Sequence, residues 1–179
     1  MNIFKAADLD KTAKLITYCI GILFLFMIFS TIVSGLKNLY ITPVLLLIFI
    51  SGYLFKPVSY SIDANTLSIN FLLFKKKISR SSILEVKDVQ TGDLKNSVRT
   101  FAMGGLFGYN GFFYNPNFGK MSWFTTNHDF CVLIYLKNKK YLVISPKEQE
   151  KFLNFMKANE INPPKIKDRI SPPPLPLQY

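Results

Sequence analysis

The sequence predicts an α+β chain in which two N-terminal transmembrane helices precede a strongly bent antiparallel β-barrel of about seven strands, capped by a C-terminal helix. Three observations carry that reading. Two uncharged runs stand close together near the N-terminus, at residues 15–36 and 39–55. From Val58 onward apolar and polar residues alternate with the period of two that suits a half-buried strand. Near the C-terminus the period lengthens to helical spacing at Phe152, Phe155 and Met156. Composition agrees. Hydrophobic residues make up 49% of the chain and charged residues only 18%, below the roughly 25% of soluble domains, so part of the apolar content calls for a solvent other than water.

Residues 1–14 form a short basic segment ahead of the first run. That run, "LITYCIGILFLFMIFSTIVSGL", is 22 residues long and bracketed by Lys14 and Lys37. As a helix it measures about 33 Å, enough for a hydrocarbon core of roughly 30 Å. The second run, Leu39 to Phe55, has 17 residues and lies at the lower limit for a span. Tyr40 and Tyr53 fall near its ends, at headgroup level, and Pro43 comes early enough in the helix to be tolerated. A cleaved signal peptide is the competing reading of the first run. Its apolar core exceeds the usual 7 to 15 residues and a second span follows at once, so residues 15–56 read as a retained two-helix hairpin. Lys5, Lys11, Lys14 and Lys56 flank the hairpin while Lys37 alone occupies its turn, which directs both termini to the cytoplasm. Cys19 lies in the first span and Cys131 in an alternating stretch, so both read as packed, reduced thiols.

Residues 57–159 form the domain. "VSYSIDANTLSINF" holds two short strands about a "DANT" turn, and "KKISRSSILEVKDV" continues with Ile78, Ile83, Val86 and Val89 facing inward. After a break at "QTGDLKNS" come "FAMGGLFGYNGFF", "NFGKMSWFTT", "DFCVLIYLKN" and "KKYLVISP", the last two joined near Asn138. This spacing suits a small antiparallel barrel and excludes a βαβ fold. Ser145, Pro146 and Glu148 then match a capping box with proline at the first helical position. The helix is expected to end near Asn159. The tail at 160–179 is proline-rich and extended, with "PPPLP" at 172–176 in polyproline II.

Element order, "RTFAMGGLFGYNGFFYNPNFGKMSWFTTN" from Arg99 to Asn127, and "YLVISPKEQEKFLNFMK" from Tyr141 to Lys157 resemble the bacterial pleckstrin-homology-like family in its membrane-anchored form. The resemblance covers about Val58 to Ala158. It implies a bent sheet or open barrel plugged at one end by the helix, carried at the bacterial inner membrane. It transfers no catalytic assignment.

Four candidate sites follow. Gly104, Gly105, Gly108 and Gly111 fit neither the dinucleotide fingerprint nor the P-loop, and another strand follows them. Asn110-Gly111 reads as a two-residue hairpin turn and Gly104-Gly105 as a bend. The aromatic residues among them, Phe107, Tyr109, Phe112 and Phe113, either fill the barrel or present a partner-contact face. Leu73, Phe74, Lys75, Lys76, Lys77 and Arg80 form a second candidate: an apolar tip and lysines facing an anionic leaflet, or a solvated turn with Leu73 and Phe74 tucked inward. Eukaryotic pleckstrin-homology domains bind phosphoinositides with basic residues around the first hairpin. Here that turn is "DANT", which argues against specific inositol-phosphate binding.

The net charge is +11, and after Pro57 it is +8, from 17 basic and 9 acidic residues. Nucleic acid would accept such a surface, but a tethered domain gains as much beside an anionic leaflet, so the leaflet is preferred. For catalysis, His128 is the only histidine and Cys131 its nearest thiol. In a strand an i, i+3 pair points to opposite faces, so a Cys–His dyad needs "TNHD" to fold back. No catalytic residue, cofactor or metal site is assigned. The function expected is a non-enzymatic scaffold that holds a protein partner, or copies of itself, at the membrane. Anionic-lipid sensing is the alternative, with nucleic-acid binding and hydrolysis behind it.

Overall fold

The computed structural model describes residues 1–33, 41–89 and 91–158. The turn between the two apolar runs and the tail with its PPPLP segment lie outside the described residues. The elements run β1 (Asn2–Lys5), α1 (Lys11–Val33), α2 (Ile41–Leu54), β2 (Ser59–Ile62), β3 (Thr66–Asn70), β4 (Lys75–Ser79), β5 (Ile83–Asp88), α3 (Thr91–Leu94), β6 (Val98–Gly104), β7 (Tyr109–Asn115), β8 (Gly119–Thr125), β9 (Val132–Leu136), β10 (Tyr141–Ile144) and α4 (Gln149–Ala158).

Helix α1 has 23 residues, about 34 Å, and is long and apolar enough to cross a membrane. Only 6% of its most apolar window is buried, so it is not the core helix of a soluble fold. Helix α2 is apolar all round but has 14 residues, about 21 Å, which is short of the hydrocarbon core. Among the described residues one helix, not two, has spanning length. Leu39 and Tyr40, the first residues of the second run, lie outside the described residues.

The N-terminal segment is more than a flank. Residues Asn2–Lys5 pair antiparallel with Ser59–Ile62, so β1 and β2 join across the whole apolar stretch between them. Phe4 packs the paired strand against α4. Its ring meets Phe152 edge-on at 5.2 Å and Phe155 at 6.0 Å under α4.

Among the described residues there are ten strands where about seven were expected. They form a four-stranded sheet, β1-β2-β3-β4, and a six-stranded one, β5-β9-β10-β8-β7-β6. The second sheet is mixed rather than wholly antiparallel, because β8 and β10 run parallel. After β8 the chain reverses but skips one strand position, and β10 returns into the gap beside β8 as the partner of β9. Strand spacing along the sequence cannot distinguish that skip from a simple hairpin.

Two cores lie on the two faces of the six-stranded sheet, since alternate residues of β9 and β10 enter alternate cores. Val132, Ile134, Leu142 and Ile144 pack with Tyr60, Ile62, Leu67 and Ile69 of the small sheet and with Phe152, Leu153 and Met156 of α4. Leu133 and Val143 pack with Tyr109, Phe113, Met121, Trp123 and Cys131, joined by Ala13 from the start of α1. At about 2–3 kcal/mol for each fully buried large side chain, the first core alone ties α4, both sheets and β1 together.

Two local expectations give way here. Asn110-Gly111 is not a hairpin turn. It lies inside β7, and the turn falls at residues 105–108, closed by the Gly105 N–H donating to the Gly108 carbonyl at 2.9 Å. Gly111 is needed because β6 comes close: a Cβ there would sit 2.5 Å from the Phe101 carbonyl oxygen, and φ is +132°. Nor is Ser145 the cap of α4, which starts at Gln149. Its hydroxyl accepts from the Thr126 N–H at 2.8 Å, and Pro146 bridges to Ala6 in the N-terminal segment. Glu148 pairs with Lys151 at 3.1 Å rather than reaching back. The capping pattern was outcompeted by a buried hydroxyl network.

Candidate functional site

The glycine-aromatic segment binds the domain to the apolar helices. The Thr17 hydroxyl donates to the Gly105 carbonyl at 3.3 Å and accepts from the Phe107 N–H at 3.0 Å. Phe107 takes a left-handed φ of 57°, costly for a bulky residue, and its ring meets Phe49 and Tyr53 of α2 at 5.0 and 5.3 Å. Gly105 lies against Ile16 and Leu106 against Gly52. Of the four rings flagged in the sequence, Phe107 therefore clasps the helices, Tyr109 and Phe113 enter the second core, and Phe112 is exposed.

Phe112 has company that the sequence reading overlooked. In the β6–β7 register Val98 faces Tyr114 and Phe101 faces Phe112, which sets all four side chains on one face. They are 64%, 47%, 81% and 56% exposed, so nothing in the chain covers them among the described residues. β6 is the terminal strand of its sheet, and the stripe borders that edge. The i, i+2 spacing of Phe112 and Tyr114 was the available signal. The ladder with Val98 and Phe101 needs the pairing, including the register shift between Arg99 and Phe101.

Asp10 is the polar node of the helix junction. Its carboxylate caps α1 by accepting from the Ala13 N–H at 2.7 Å, accepts from the Tyr109 hydroxyl at 3.1 Å, and lies 3.6 Å from His128 Nδ1. His128 stacks on Tyr109 at 3.9 Å and stands edge-on to Trp123. Burial pushes the His128 pKa below its ordinary value and outweighs the opposing pull of Asp10 and Asp129, with Arg99 adding to the depression. Burial, then Asp10, raises the Tyr109 pKa. Burial, with the charges of Asp129, Asp10 and Asp88 adding to it, pushes the Cys131 thiol up to about 12, and the thiol donates to the Asn127 carbonyl. The structure thus engages His128 with Asp10 and Tyr109, and gives the thiol another partner. No three of His, Cys, Asp and Glu converge as metal ligands among the described residues. The Asp before an apolar run was a legible cap signal for Asp10.

The candidate leaflet residues separate. Phe71 and Phe74 stack at 4.5 Å, and Phe74 meets Phe55, just past the end of α2, at 5.4 Å. Leu72 and Leu73 stay out at the hairpin tip, Leu73 at 73% exposure. Lys75 and Lys77 are exposed on β4. Lys76 is exposed too, but it lays its ammonium 4.4 Å over the Phe124 ring, where partial desolvation lowers its pKa. Arg80 lies at the far end of β4, donating to the Asp63 and Ala64 carbonyls of the DANT turn. It shapes the first hairpin and is remote from the apolar tip.

Residues 58–160 match the family described as Bacterial PH domain. Comparison with curated proteins and with solved structures finds no match.

Proposed function

Because the chain belongs to the bacterial PH domain family, we propose that it is a membrane-anchored, non-enzymatic binding module that holds a protein partner, or a second copy of itself, at the cytoplasmic face of the inner membrane. The observation that carries this reading is the uncovered stripe of Val98, Phe101, Phe112 and Tyr114 beside the terminal strand β6. Aromatic clusters of this kind supply most of the energy in protein interfaces. A full-length chain with a photoreactive side chain at Tyr114 is expected to form one discrete adduct in membranes. Phe101→Ser with Phe112→Ser should cut that adduct about tenfold while the chain stays in the membrane fraction. Equal yields from both chains would overturn the reading.

Chain continuity supports a two-helix anchor. β1 precedes α1, β2 follows α2, and both belong to one sheet, so a chain that crosses on α1 must return before Ser59. With about 21 Å of helix, α2 crosses only with local thinning of the bilayer or help from flanking residues. Lysines on the domain side, Lys5, Lys11, Lys14 and Lys56, favour that side being cytoplasmic.

A second reading, contact with the anionic leaflet, is favoured by the Phe55–Phe74 contact. It ties the Leu72-Leu73 tip to the base of α2, at the depth where an apolar tip meets headgroups.

A further inference from the structure

The uncovered stripe is one end of the first core. Along one row of the six-stranded sheet Phe101 faces Phe112, Phe112 faces Ser122, and Ser122 faces Leu142, which is buried in that core. The small sheet and α4 cover the β10 end of the row and leave its β7 and β6 end open. The charge bordering this open face has one sign. Lys120 faces Tyr114 directly in the β7–β8 register and is exposed. Lys76 reaches over from β4 to lay its ammonium 4.4 Å above Phe124, two residues beyond Ser122. Lys87, Lys147 and Lys151 have carboxylates beside them, whereas neither Lys120 nor Lys76 pairs with one among the described residues. No Asp or Glu occurs between Asp93 and Asp129, and Asp93 belongs to α3, whose Leu94 packs in the second core on the opposite face.

Resting on the reading of the stripe as a protein contact, we infer that its partner is an acidic segment of a different protein, which lays apolar side chains on Phe101, Phe112 and Tyr114 and sets carboxylates against Lys120 and Lys76. Charge selects this occupant. A second copy brings the same lysines and a net charge of +11, and residues 159–179 bring Lys165, Lys167 and Arg169 against Glu160 and Asp168, so both present like charge, which is costly across a contact. Geometry sets how the segment lies. The register shift at Thr100, whose hydroxyl donates to the Phe112 carbonyl at 3.0 Å, interrupts β6 as an edge, so the segment crosses the face instead of adding a strand. The stripe also leads away from the helices: it begins at Phe101, about 14 Å along the strand from the turn at 105–108 that touches them, and Tyr114 lies about 20 Å from it, which opposes a leaflet as the occupant. Phe101 and Phe112 are cross-strand neighbours with Cβ atoms about 5 Å apart, a continuous apolar ledge and not the separate platforms that successive bases need.

The test is to sequence, by peptide mass spectrometry, what a photoreactive side chain in place of Tyr114 links to when the full-length chain is irradiated in its native membranes. The linked peptide should come from another protein and carry an excess of Asp and Glu around the point of attachment. Lys120→Glu, a change at an exposed position, should lower the adduct yield about fivefold, and Lys120→Arg, which keeps the charge, should hold it. Lys87→Glu, whose neighbour in the register is Leu133 of the second core, should leave the yield unchanged. Linkage to a second copy, to residues 159–179 or to a segment without acidic excess would overturn this inference alone, as would a yield indifferent to Lys120→Glu. Linkage to phospholipid or nucleic acid, or no adduct at all, would defeat the protein contact together with it.

Discussion

The Tyr60 hydroxyl joins segments remote in sequence: it donates to the Phe124 carbonyl at 2.8 Å and accepts from the Ser145 N–H at 3.2 Å, in a side chain with no exposed surface. Tyr60→Phe strands both backbone groups, and a buried unpaired polar group costs about 1–3 kcal/mol. The urea midpoint of the full-length chain in micelles should fall accordingly with an unchanged slope; an unchanged midpoint would refute the bridging role. His128 sets a pH dependence. Its folded pKa is depressed, so below the ordinary value of 6.5 an unfolded chain takes up a proton that the folded chain resists. Its contribution is therefore complete above about pH 6.5 and lost as pH falls through the folded value. Midpoints measured across that range should drop less on the acid side in His128→Gln than in wild type, and identical slopes would contradict the assignment. At this scale the sequence misled where a residue had two uses. Asn110-Gly111 has the chemistry of a tight turn, but Gly111 answers to the backbone of β6, a contact no local window contains.

Elements were legible in proportion to how local their cause was. Absence of charge marked α1 directly, and helical spacing at Phe152 and Met156 marked α4. β1 left no signal. Four residues, "NIFK", show no periodicity, and their reason for being a strand lies in β2 and in the rings of α4. The parallel β8–β10 pair was hidden for a related reason, since only the position of β9 determines it. Phe4 offers the test of β1. Phe4→Ser removes the ring that meets Phe152 and Phe155 and should destabilise the chain by about 1.5–3 kcal/mol, seen as a lower urea midpoint. No change would mean that β1 contributes little beyond its backbone pairing.

For the molecule as a whole, the contacts that join the helices to the domain include Phe107 on α2, Asp10 between α1 and Tyr109, and Phe74 on Phe55. The first two were invisible in sequence because one depends on where the turn at 105–108 falls and the other on which side of the sheet Tyr109 faces. If the Leu72-Leu73 tip and its lysines rest on an anionic leaflet, an environment-sensitive dye at Leu73→Cys should report an apolar setting in phosphatidylglycerol vesicles. Raising salt beyond about 0.1 M, where screening acts over roughly 10 Å, should weaken that signal, and more so in a chain with Lys75→Gln and Lys77→Gln. A signal indifferent to both would defeat the leaflet contact. The pairing of β1 with β2 also has a consequence in time. During synthesis the first strand leaves the ribosome long before its partner, and two apolar helices must emerge in between. The small sheet cannot close until those helices have found their place, so the chain carries within its topology an order of events in which helix placement precedes completion of the domain.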